Sequence, residues 1–136
     1  MSEQPKRPVE TPAEWPRFAD ENLLVAEQAF VSGEPVWHTI CFLCQSAAEK
    51  YAKAYLIANG WALAKTHDIV VLLGLCSDYD TAFAALTMDS AVLNEYIVSG
   101  RYPGDLAYED LTGSDAQEAI EIVRRIRDLV AKRLEL

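Results

Sequence analysis

Four side chains in this sequence could act together on a ligand: Glu49, Lys53, His67 and Arg101. Imidazole is the usual acid or base near neutral pH. A guanidinium offers a planar set of donors, and an ammonium supplies a point charge. Gathered in one polar pocket, these groups would suit a phosphate or a nucleotide. The alternative is a buried or half-buried ion-pair network that closes the fold, with His67 orienting its own loop or packing against a helix. Arg101 stands just before the turn residues Tyr102-Pro103-Gly104, where it would either meet a ligand or partner or cap the preceding helix.

Other chemistries have less footing. His38, Cys41 and Cys44 stand at i, i+3 and i+6 and are of zinc-ligand type, but Cys76 is the only other thiol. That leaves no closed tetrahedral set, and no metal is expected. There is no Gly-x-Ser-x-Gly and no phosphate-cradling Gly-rich loop. Cys76 has no basic neighbour in sequence to lower its pKa. No cofactor and no catalytic residue are assigned on these grounds.

The elements that must position these groups follow from composition and periodicity. A chain of 136 residues that is 51% hydrophobic can build one packed core. With 21 acidic and 12 basic side chains the net charge is −9, which repels a nucleic-acid backbone unless the cations are gathered locally. No apolar run approaches the length of a membrane span, and the start lacks the regions of a signal peptide. A cytoplasmic location, with no membrane and with the three cysteines reduced, is therefore expected.

Residues 1–15, dense in proline, read as a mobile arm, leaving 16–136 as the folded domain. A first helix is expected over Pro16 to Val31, with Ala19, Leu23, Ala26 and Phe30 on one face, stopped by Ser32-Gly33-Glu34-Pro35. A long central helix then spans Val36 to Asn59. It carries one apolar stripe of Trp37, Cys41, Cys44, Ala48, Tyr51 and Tyr55, and a second of Ile40, Leu43, Ala47, Ala54 and Ile57. Two stripes imply burial on more than one side, by the bundle or by a second subunit. The remaining narrow face presents Ser46, Glu49 and Lys53, the last two in the favourable acid-first i, i+4 order. Gly60 ends the helix.

Thr66 is expected to cap a short buried helix with Asp68 in its first turn and Ile69 to Leu75 within it. A break near Ser77 to Asp80 leads to helix over Thr81 to Ser99, in two pieces around Met88-Asp89, with Phe83, Leu86, Val92, Leu93, Tyr96 and Ile97 in the core. A capping box at Ser114 to Gln117 opens the last helix, which runs to about Glu135 with Ala119, Ile122, Ile126 and Leu129 inward. Its basic end, Arg124 to Arg133, reads as a solvated face. With no sustained alternation of period two, the fold class is all-α.

The order of these blocks resembles the HEPN family (higher eukaryotes and prokaryotes nucleotide-binding). The blocks are an Ala-rich first helix, the run Cys44-Gln45-Ser46-Ala47-Ala48-Glu49-Lys50-Tyr51-Ala52-Lys53-Ala54, then Thr66-His67-Asp68-Ile69 before Leu72-Leu73, and Arg101-Tyr102-Pro103-Gly104. The resemblance spans roughly residues 16 to 133. It implies an up-and-down bundle of four main helices plus a short extra helix, commonly homodimeric. Many members act with a minimal nucleotidyltransferase, some as toxin and antitoxin, and others are ribonucleases. The ribonuclease members use an Arg followed four to six residues later by a His. Neither His38 nor His67 has an Arg at that spacing. The expectation is a non-catalytic homodimeric subunit that binds or regulates such a partner. RNA cleavage or nucleotide binding at an atypical polar site is the alternative.

Overall fold

The computed structural model describes residues 14–62, 65–98 and 110–136. Helix α1 covers Glu14–Ser32, α2 Trp37–Ala58 and α3 Ile69–Tyr79. A short 3-10 turn, Thr81–Phe83, precedes α4 (Ala84–Ser90), and another, Ala91–Asn94, precedes α5 (Glu95–Val98). Helix α6 covers Gly113–Leu134. There is no strand among the described residues, so the all-α bundle expected from periodicity is what forms.

Helix α2 is the axis. It packs on α1, α3, α5 and α6, and both of its expected stripes turn inward: Cys41, Cys44, Ala48, Tyr51 and Tyr55 on one, Ile40, Ala47 and Ala54 on the other. Leu43 and Ile57 remain half-buried. The limits of α2 have local causes. Val36 is its N-terminal boundary residue, after Pro35, and at the other end Gly60 takes φ +90°. There the Trp61 N–H donates to the Leu56 carbonyl and the Gly60 N–H to that of Ile57, each at 3.0 Å. These are the two bonds of a glycine-stopped helix end, and they satisfy carbonyls that would otherwise lack donors.

Several boundaries differ from expectation. Helix α1 already includes Glu14 and Trp15, expected in the arm; residues 1–13, the rest of that arm, lie outside the described residues. Asp68, not Thr66, caps α3, accepting from the Val70 and Val71 N–H groups at 2.9 and 3.2 Å. Thr66 instead accepts from the Asp68 N–H at 3.3 Å, one step upstream. At α6 the capping box is Thr112 with Asp115, two residues earlier than Ser114 with Gln117. A carboxylate serves as well as Glu or Gln when it reaches back to the cap N–H, here at 2.8 Å.

The core gathers Leu23 of α1, Tyr51 and Leu56 of α2, Leu72 and Leu73 of α3, Phe83, Leu93 and Tyr96 of the broken stretch, and Val123 and Ile126 of α6. The break after Met88-Asp89 falls at Ser90, and Leu86 and Val92 there are half-buried. The side chain of Ile97 lies outside the described residues.

Candidate functional site

Glu49 projects from the middle of α2 and collects three donors. Lys53 Nζ lies 2.7 Å from Oε2, Gln45 Nε2 3.2 Å from Oε1, and His67 Nδ1 2.9 to 3.0 Å from both oxygens. Burial alone would raise the carboxyl's pKa, but the donors Lys53, His67 and Gln45 outweigh it and hold the group below its usual range. The narrow face of α2 is therefore not uniformly solvated. The Lys53 side chain is only 5% exposed and that of Glu49 13%, whereas that of His67 is 66% exposed.

The inward position of Lys53 places it in a buried ion-pair network, the alternative to an open ligand pocket for these residues. Trp15 of α1, with its ring centroid 5.9 Å from Lys53 Nζ, is what covers it. Trp15 Nε1 is itself buried and has no acceptor among the described residues.

His67 is held by the start of α3. Asn94 donates from Nδ2 to Asp68 Oδ1 at 2.9 Å and accepts the Ile69 N–H at 2.7 Å, locking the turn that carries the imidazole. These contacts also hold the Asp68 carboxyl below its usual range, with Asn94 the main cause. An imidazole whose Nδ1–H is given to a carboxylate keeps, when neutral, its lone pair on Nε2. Glu49, Lys53 and His67 are thus brought together. Arg101, the fourth residue expected there, lies outside the described residues.

A second polar group on the same helix escaped sequence reasoning. Lys50 Nζ and Ser46 Oγ both meet Asn22 Oδ1 of α1 at 3.0 Å. Burial pushes the Lys50 pKa down, outweighing the opposite pull of Glu49, and the charge of Lys53 adds to the fall. Nothing in local spacing announces a contact across 28 positions; the only signal is a polar Asn on the flank of α1 that faces α2. Next to it, the buried Tyr51 hydroxyl donates to Asp20 of α1, and burial followed by this bond raises its pKa.

The thiols are structural. Cys41, Cys44 and Cys76 are free and buried. Burial raises all three, Cys41 and Cys76 to about 12, which removes the thiolate on which nucleophilic chemistry depends. No group of His, Cys, Asp or Glu among the described residues could hold a metal ion. The basic residues of α6 form exposed ion pairs, Arg124 with Glu27 at 2.7 Å and Arg125 with Asp89 at 3.2 Å. Arg133 is engaged with Asp80. No helix among the described residues is long and apolar enough to cross a membrane.

The fold is an all-helical bundle, with Glu49 and Lys53 of its central helix joined by His67 from the segment before α3. A model of the HEPN domain matches residues 13–134, and the chain belongs to that family. Two solved structures resemble it closely. ST0689, an archaeal HEPN homologue, is 27% identical with a TM-score of 0.73, the match covering 90% of this chain and 97% of that one. TT1696 from Thermus thermophilus is 28% identical with a TM-score of 0.75, covering 89% and 96%. No curated protein matches the chain.

Proposed function

We propose that the chain is a non-catalytic HEPN subunit that forms a homodimer and binds or regulates a protein partner, such as a minimal nucleotidyltransferase, in a toxin–antitoxin-like pair. The observation that carries this reading is the engagement of Glu49. Its carboxylate is taken up by Lys53, Gln45 and His67, and Lys53 is buried beneath Trp15. A cation in that position closes the bundle and is not offered to a phosphate. The sequence also lacks the Arg-to-His spacing of the family's ribonucleases. Apolar surface at Phe42 of α2 and Val25 of α1, each about half exposed, supports association.

Co-expression with the product of an adjacent nucleotidyltransferase gene, followed by affinity capture and light scattering, tests it. A complex containing two copies of this chain is expected. A monomer that captures no nucleotidyltransferase overturns it.

One observation favours a second reading, cleavage of RNA or binding of a nucleotide. Glu49 and His67 form a carboxylate–imidazole pair of the kind that orients a general base, and the imidazole is exposed. Incubation of the purified protein with RNA and with labelled nucleotides decides it. Cleavage or binding lost in both His67→Ala and Arg101→Ala supports this reading. No activity, or activity unchanged in those variants, removes it.

A further inference from the structure

The outer surface of α6 holds two hollows that the polar cluster does not use. One, of about 370 Å³, lies between α6 and the stretch from Met88 to Val92; Ile122 adds apolar surface, and Asp89, Glu118, Glu121 and Arg125 add charge. The other, of about 240 Å³, lies between α6 and the end of α1, lined by Phe30, Val31 and Ile120, and it shares Glu121 with the first. Each hollow contains an apolar side chain left 83% exposed, Met88 in the first and Val31 in the second. The guanidinium groups are already engaged, Arg125 with Asp89 and Arg124 with Glu27. Glu118 and Glu121 form no ion pair among the described residues, although Arg124 and Arg125 line the same hollows; Glu121 accepts from Gln117 at 3.3 Å. The result is one hollow of mixed polar and apolar lining beside a more apolar one, with Glu121 shared between them and Glu118 in the first.

We propose that this face of α6 docks a basic amphipathic helix of a partner protein, with one apolar side chain seated beside Met88, another beside Val31, and Lys or Arg groups against Glu118 and Glu121. Charge complementarity selects the occupant. Two unpaired carboxylates on a chain of net charge −9 repel acidic and phosphate-bearing ligands and draw in a cation-rich segment. A helix can carry apolar anchors and basic groups along one face, which suits two neighbouring hollows that share a carboxylate. The thioether of Met88 adapts its shape to whatever apolar group arrives. The proposal rests on the partner-binding reading above and adds the surface at which binding occurs.

Fluorescence anisotropy of the full chain with a labelled Lys/Leu peptide of amphipathic helical spacing tests it, alongside a scrambled peptide of the same composition. The helical peptide is expected to bind more tightly. E118K/E121K and M88N should each weaken binding about tenfold or more, equivalent to roughly 1.4 kcal/mol. A D78K/E34K control, with the same charge change at exposed positions elsewhere, should bind like the wild type. All of these positions are exposed, and circular dichroism checks that each variant is folded. Equal binding of the scrambled peptide, an equal loss in the control pair, or full binding by M88N overturns the proposal. Capture of a co-expressed nucleotidyltransferase by wild type and E118K/E121K alike overturns this surface and leaves the partner reading standing. Peptide binding that obeys the variants, without capture, supports the surface and overturns only that choice of partner.

Discussion

The charges on α2 and those on α6 are made of the same residue types and differ in what surrounds them. Glu49 and Lys53 lie one turn apart on a single helix, both largely buried, with the Trp15 ring beside Lys53. Arg124 and Arg125 reach across to α1 and α4, yet both arginine side chains are about half exposed to water. Water screens the second set and repays most of what breaking it removes. It cannot repay a buried ammonium that has lost its carboxylate. An i, i+4 pair that looks like surface decoration is therefore the costlier one to disturb.

Glu49→Ala should break this comparison most sharply. It strands Lys53 with only an aromatic face beside it, and urea unfolding should show a loss of about 3 kcal/mol. Lys53→Met should cost less, about 1 kcal/mol, because Glu49 keeps His67 and Gln45 as donors. The double change E49L/K53M should recover to within about 1 kcal/mol of wild type, since an apolar pair of similar bulk replaces two buried charges. A double-mutant cycle that instead proves additive would show the pair to be uncoupled.

Acid dependence sharpens the contrast. The folded pKa of Glu49 lies below its ordinary value of 4.5, so its ionised form stabilises the fold in full above that pH. That contribution shrinks as the pH falls through the folded value. Between about pH 5 and pH 3, wild type should lose stability more steeply than Glu49→Gln in denaturant titrations. The smallest effect belongs to the α6 surface. Arg124→Ala should change stability by less than about 0.5 kcal/mol, and moderate salt should shrink even that.

The long elements were legible because their signals are local. Pro35 and Gly60 bracket α2, and its observed span, Trp37–Ala58, lies one residue inside the expected limits at each end. The caps were misplaced where several capping residues stand close together. Thr66 and Asp68 are both good caps, and the choice between them is made by Asn94, 26 positions away. The sequence left Glu49, Lys53 and His67 open between a ligand pocket and a buried ion-pair network. The contact of Lys53 with Trp15 was not legible, because the proline density of the first residues assigned Trp15 to the arm. The group of Asn22, Ser46 and Lys50 was invisible too, being made by two helices whose facing flanks are set only when they pack.

The packing of α2 on several neighbours at once also governs how the molecule opens. Its central amides should exchange only with a wider opening, because α2 packs against α1, α3 and α6. Residues 81–98 run through four short pieces, and each has few buried apolar groups to hold it. Amide exchange there needs only local opening. Met88 belongs to that stretch, so the hollow beside α6 has one fixed wall and one that breathes.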